Sequence, residues 1–290
     1  MAYIPTYHNA TVGSVNVNYI EAGSQSLPNL LLLHGFPSSS NQFRDLIPLL
    51  SDSYHIIAPD LPGFGLTKTP ADFVFTFDNL ADVIGSFVAQ LSWTSYAMYI
   101  FDYGAPVGLR LALQDPTGVK AIISQNGNAY VEGLGHPFWT PVEELWNSNN
   151  SQPARDTIRT NFLTLAGTKY QYEEGTPADH LDLINPLAYH LDYIENIAGH
   201  EERQLDLMYD YRTNLPLYPK FQEYFRKSQV PLLAVWGKED PCFIPPGATA
   251  FKRDSPKAIV HFVDAGHFAL ETQRWEIARQ ILHFLAGVTF

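Results

Sequence analysis

A single cysteine, Cys242, stands in 290 residues, which excludes an internal disulfide framework and fits a reducing compartment. No apolar run reaches the roughly 18 residues of a membrane-spanning helix, and the histidines show no metal-ligand spacing. The opening segment Met1-Ala-Tyr-Ile-Pro-Thr-Tyr-His8 has neither the basic start nor the apolar stretch of a secretion leader. A cytoplasmic location is the expectation. Positive charge is scarce as well: 18 Lys and Arg face 30 Asp and Glu, a net charge of −12. That balance argues against nucleic acid or an anionic membrane surface as a partner. With no Gly-x-x-x-x-Gly-Lys loop to cradle a phosphate, neither cofactor nor metal is expected. What the chain does have is an apolar fraction of 46%, enough for a large core in one domain with an insertion.

Val12 to Ala22 alternates Val15, Val17 and Tyr19, the pattern of an early antiparallel strand. From about residue 29 to 127, buried strand runs alternate with helical patterns, which predicts a mostly parallel central sheet with helices on both faces. After Asn126-Gly127-Asn128 the buried β runs stop. Helical patterns rich in Tyr and charge clusters continue to about Tyr218, and further helices are predicted over Lys220–Lys227 and Arg274–Leu285.

The chemistry concentrates at strand ends. Tyr96–Phe101 reads as a buried strand running into Asp102-Tyr103-Gly104-Ala-Pro-Val-Gly108, with a helix from Leu109. A strand, a sharp turn and a helix present the turn side chain as a nucleophile, ordinarily the Ser of G-x-S-x-G. Here the residue is Asp102. A carboxylate, with an unperturbed pKa of about 3.9, is already ionised at neutral pH and suits displacement at an sp3 carbon. The product is an ester that water then hydrolyses. The competing reading is that Asp102 only caps the helix.

Val230–Trp236 leads into Gly237-Lys-Glu-Asp240-Pro241, and Ala258–Val263 into Asp264-Ala-Gly-His267-Phe268. These supply an acid and then a histidine after the candidate nucleophile, the chain order found in folds built around such a strand–turn–helix nucleophile. Asp264 competes with Asp240 for the acid role; Asp240 is preferred because it follows its strand. Leu30–Leu33 leads into His34-Gly35-Phe36-Pro37, and Tyr54–Ala58 into Pro59-Asp60-Leu-Pro-Gly63-Phe-Gly65.

On these motifs the chain resembles the α/β-hydrolase superfamily, in the branch of epoxide hydrolases and haloalkane dehalogenases. The match is specific at both ends of the chain and weak in the middle. It implies an α/β-hydrolase fold with a core of residues 1–127 and 218–290 and an inserted helical cap of residues 128–217. It also implies a catalytic set of Asp102, Asp240 and His267, with an oxyanion hole made by the backbone N–H groups of Phe36 and Tyr103, since Pro37 has none. In the resembled epoxide hydrolases two cap tyrosines hold the epoxide oxygen. Tyr211, in Tyr211-Arg-Thr-Asn214, matches one; the alternative is an ordinary helix aromatic. The other falls near residues 138–152, where Phe138, Trp139 and Trp146 stand and Tyr is absent. Tyr130, Tyr170 and Tyr172 are the candidate substitutes, and Trp139 is either an indole N–H donor to a leaving anion or pocket wall.

Haloalkane dehalogenases usually place Trp after the nucleophile and Asn or Trp after His-Gly. Tyr103 and Phe36 here disfavour that reading, and fluoroacetate-type enzymes carry an Arg after the Asp. The resemblance therefore implies hydrolysis of an apolar or aromatic epoxide to a diol, with water as co-substrate and a pocket lined by Phe36, Tyr103, Trp139 and cap tyrosines. Carbon–halogen hydrolysis is the alternative. A receptor with slow or no turnover is a further one.

Overall fold

Runs such as Leu30–Leu33 and Tyr96–Phe101 are apolar at every position, so both of their faces need cover. In the computed structural model, which describes residues 4–290, they receive it. Met1–Tyr3, the start of the segment read as lacking a leader, lie outside the described residues. Eight strands form the sheet: β1 (Thr6–Val12), β2 (Val15–Ala22), β3 (Asn29–Leu33), β4 (His55–Pro59), β5 (Tyr96–Phe101), β6 (Val119–Gln125), β7 (Leu232–Gly237) and β8 (Ile259–Val263). Their order is β1-β2-β4-β3-β5-β6-β7-β8. The β1–β2 and β2–β4 pairs are antiparallel and the other neighbours parallel.

Eleven α-helices are described: α1 (Ile47–Leu50), α2 (Phe77–Gln90), α3 (Gly104–Gln114), α4 (Thr140–Asn147), α5 (Gln152–Asn161), α6 (Leu165–Glu173), α7 (Pro186–Asp192), α8 (Glu201–Asp210), α9 (Tyr218–Ser228), α10 (Pro245–Asp254) and α11 (Ala269–Leu285). Because successive strand side chains point to opposite faces, each strand divides between two cores. Leu31, Leu33, Met98, Ile100, Ile122 and Trp236 pack with Phe77, Ile84 and Phe87 of α2, Leu109 of α3, and Phe221 and Phe225 of α9. Leu30, Leu32, Tyr99, Phe101, Ile123 and Val235 pack with Ile47 and Leu50 of α1 and Ile277, Ile281 and Leu285 of α11. Burying each such side chain contributes about 1.5–3 kcal/mol. The two cores clamp the ends of β5, β7 and β8, where the chemical residues sit.

The early antiparallel strand expected over Val12–Ala22 is β2 (Val15–Ala22), and it forms a hairpin with a preceding strand, β1, that was not expected. Gly13, at φ +57, turns the chain, and β1 lies at the sheet edge with most side chains outward. An edge strand reading Thr-Tyr-His-Asn-Ala-Thr-Val carries no apolar alternation, so its sequence hides it. The last helix begins at Ala269, ahead of Arg274, and is non-helical at Gln273 (φ −117, ψ 18). Between β6 and β7 the described residues form helices and turns. Among the described residues, no helix is long and apolar enough to cross a membrane.

Candidate active site

Asp102 follows β5 at φ +46, a left-handed conformation that costs a non-glycine residue energy. α3 begins two residues later, so the turn is sharp and Asp102 projects from it. Its side chain turns towards the loop after β3: Phe36 N–H donates to Asp102 Oδ1 at 2.6 Å. Tyr103 is the residue before α3, with no side-chain cap bond, so the carboxylate is not an ordinary helix cap. Two glycines make the turn possible. A Cβ on Gly104 would lie 2.3 Å from the Leu33 carbonyl oxygen, and one on Gly35 would lie 2.4 Å from Asp102 Oδ1.

Burial pushes the Asp102 carboxyl up to about 6, against the lowering pull of His267 and of the Phe36 and Tyr103 N–H groups. Of the two backbone donors that the resemblance assigns to an oxyanion hole, Phe36 N–H thus holds the Oδ1 oxygen, and the Tyr103 N–H also favours the charged carboxylate. The other, Oδ2, lies 3.9 Å from His267 Nε2. His267 is fully buried and its Nε2 has no hydrogen-bond partner. Its Nδ1 donates to Asp240 Oδ2 at 2.8 Å, which fixes the tautomer and leaves Nε2 free to accept a proton. Burial alone would lower the His267 pKa, but the Asp240 charge and hydrogen bond, with Asp102, raise it overall.

Asp240 is itself braced. Its Oδ1 accepts the Cys242 N–H at 2.7 Å, and its Oδ2 accepts Asn126 Nδ2 at 2.6 Å. Asn126, at φ +48 just after β6, also accepts the Gly237 N–H at 2.9 Å. Sequence reading found no specific signal at Asn126, yet it ties the acid to the neighbouring strand end. The Asn-Gly step, which tolerates positive φ, is the trace it leaves. Asp264 is exposed and paired with Lys238, out of reach of His267. Asp240, Cys242 and His267 are close enough together to consider a cation. Burial and the Asp240 charge, however, push the Cys242 thiol well above its usual range, opposite to what a thiolate ligand needs.

Above Asp102 is a small cavity of ≈ 30 Å³, walled by Phe36, Tyr103, Trp139, Val142 and Met208 and reached by the side chains of Tyr211 and Gln171. Phe138, Phe162 and Gln171 separate it from a larger outer cavity of ≈ 520 Å³ that also touches Tyr170. Tyr211 is fully buried, its ring 4.7 Å from that of Trp139. Burial, then the nearby Tyr218 phenol at 3.4 Å, push its pKa well above the usual phenol range, so it stays a proton donor. Two bonds lock its segment to the core: Asp210 Oδ2 accepts the Phe77 N–H opening α2 (2.8 Å), and Arg110 Nη1 of α3 donates to Asn214 Oδ1 (2.7 Å). Asn214, read only as part of a pattern, is thus an anchor, and Arg110 its partner.

Several expected roles require correction. Tyr130 donates its hydroxyl to Asp254 Oδ2 at 2.9 Å against Phe251, and Tyr172 donates to Asp192 Oδ2 at 2.5 Å while stacking on Phe268. Neither lines the cavity with Asp102, because each phenol is held by a buried carboxylate elsewhere. Tyr170 reaches only the outer cavity. Trp139 lines the inner one, but its indole N–H donates to the Cys242 carbonyl at 2.7 Å, so it is wall and not a donor to a leaving anion. His34 serves the scaffold: its Nε2 accepts the Leu61 N–H at 2.9 Å, and burial pushes its pKa down to about 4, keeping it neutral.

A family model described as alpha/beta hydrolase fold matches residues 28–273. The chain is 46% identical over 286 residues to an uncharacterized hydrolase of Saccharomyces cerevisiae, covering 98% of each. It is 27% identical over 280 residues to haloalkane dehalogenase 2 of Mycobacterium tuberculosis, covering 92% of this chain and 90% of that protein. In structure it is similar to the epoxide hydrolase CorEH, with a TM-score of 0.77 and 20% identity over 98% of this chain and 99% of the other, a likeness of fold.

Proposed function

We propose that this chain, which belongs to the alpha/beta hydrolase fold family, hydrolyses epoxides to diols through an ester on Asp102. The observation that carries the reading is the state of the Asp102 carboxylate. One oxygen is held by the Phe36 N–H, while the other lies 3.9 Å from a His267 nitrogen without a partner, beneath a cavity closed by a phenol. Oδ2 attacks the epoxide carbon; a carbon–oxygen ester bond forms and the ring carbon–oxygen bond breaks. The alkoxide, a stronger base than a phenolate, takes the Tyr211 proton. His267 then removes a proton from water, and the hydroxide adds to the Asp102 carbonyl carbon. The negative charge develops on Oδ1, which the Phe36 N–H already holds, so that donor needs no rearrangement, and the Tyr103 N–H is the second donor to it. Collapse releases the diol oxygen, which takes the proton from His267, and the acid proton left on Asp102 restores the Tyr211 phenol.

Carbon–halogen hydrolysis is the second reading, favoured by the sequence relationship to a haloalkane dehalogenase. The engaged Trp139 indole and the apolar Phe36 side chain leave it fewer donors for a halide. A binder without turnover has less support, because an unpartnered, charge-tuned His267 is the arrangement of a base. The test is single turnover in ¹⁸O-water with styrene oxide in deficit. The mechanism requires the first diol to carry an unlabelled oxygen from Asp102; label in the first diol would mean direct attack by water.

A further inference from the structure

Tyr170, Gln171 and Tyr172 are consecutive on α6 and go three different ways. Tyr170 faces the outer cavity and Tyr172 is bonded to Asp192. Gln171, only 3% exposed, lines both the outer cavity and the inner one containing Asp102. Its Nε2 is buried without a hydrogen-bond partner. Leaving such a donor unpaired costs stability, and native proteins keep few of them outside functional sites. Gln171, Tyr211 and Asp102 all line the same cavity of ≈ 30 Å³. The indole of Trp139 and the phenols of Tyr130 and Tyr172 are all engaged elsewhere.

We propose that Gln171 is a second donor to the oxygen of the substrate: its N–H bonds the epoxide oxygen beside the Tyr211 phenol as Asp102 attacks. The assignment rests on the aspartyl-ester reading and deepens it. An ether oxygen has two lone pairs and accepts from an O–H and an N–H together. The amide stabilises the developing charge without losing a proton, so Tyr211 alone transfers one and the proton balance above is unchanged. The vacancy at residues 138–152, where a second tyrosine was expected, is filled in this view from α6 by an amide.

The two chemical steps separate this role from a structural one. In a His267→Gln background, growth of the styrene oxide adduct by intact-protein mass reads alkylation alone. Gln171→Leu, with Gln171→Ala as a second donor-free variant, should slow it about 10²-fold, the usual loss for one such donor. Gln171→His, which retains an N–H, should recover at least about tenfold of that rate. Ester hydrolysis, followed as adduct decay after a styrene oxide pulse with His267 intact, should be unchanged. Adduct growth at the parent rate in both donor-free variants overturns the assignment. An equal slowing of both steps also overturns it, as the mark of a structural role. If no adduct forms in His267→Gln with Gln171 in place, the aspartyl-ester reading itself fails and the assignment with it.

Discussion

Asp102→Asn should make the protein more stable while removing its activity. Burial holds the Asp102 carboxyl at about 6, against 3.8 for an ordinary aspartate. A group whose folded pKa is raised binds its proton more tightly in the folded state. Its contribution to stability is complete below pH 3.8 and is lost as pH rises through about 6. The difference of about 2 pH units, at about 1.4 kcal/mol per unit, makes an ionised Asp102 cost about 3 kcal/mol at pH 7. The attraction of His267 and the two backbone N–H groups is already counted in that pKa. An Asn side chain keeps a carbonyl oxygen for the Phe36 N–H but gives His267 no charge, so a net gain of about 2–3 kcal/mol is expected at pH 7. Equilibrium urea unfolding of both proteins at pH 4, 5.5 and 7 measures it. The gain should be near zero at pH 4, grow through pH 5.5 and level off above pH 7. A difference that does not change with pH, or a less stable variant at pH 7, would refute the reasoning.

Other consequences follow from the same geometry. Tyr211→Phe should slow ester formation about 10²–10³-fold and leave ester breakdown alone, as rapid-quench kinetics with styrene oxide would show. Asn214→Ala leaves Arg110 Nη1 without its partner on the Tyr211 segment; a loss of about 1.5–3 kcal/mol in urea unfolding is expected, with a fall in kcat. Asn126→Ala exposes the Gly237 N–H and one lone pair of Asp240 to a buried void and strains a positive-φ position. Melting temperature and kcat should both fall, and the pH limb set by His267 should move. In the pH profile, kcat/KM should decline as pH drops through about 6, where Asp102 gains its proton. A limb in kcat should lie above the ordinary histidine value, where His267 must lose its proton.

The strand-end residues were legible because each follows a run of apolar residues and precedes a turn, a pattern that survives without coordinates. Asp102, Asp240 and His267 announce themselves this way, and the structure brings them together, His267 bonded to Asp240 and 3.9 Å from Asp102. What failed to show was anything whose meaning depends on a distant partner. Tyr130 and Tyr172 look like pocket tyrosines until Asp254 and Asp192, 124 and 20 residues away, are seen to hold them. Trp139 looks like a donor until the Cys242 carbonyl appears beside its indole. Asn126 and Arg110 carry no motif of their own; their importance lies in bonds to Asp240 and Asn214 that only the folded chain makes. Strand β1 escaped for a different reason, since an exposed edge needs no apolar face.

The covalent ester on Asp102 is the claim on which the mechanism stands. Intact-protein mass spectrometry of His267→Gln after exposure to styrene oxide tests it directly. The account predicts a stable gain equal to the whole epoxide, mapped by proteolysis to the peptide containing Asp102. A folded His267→Gln protein that gains no mass, or that turns styrene oxide over at the parent rate, would contradict it.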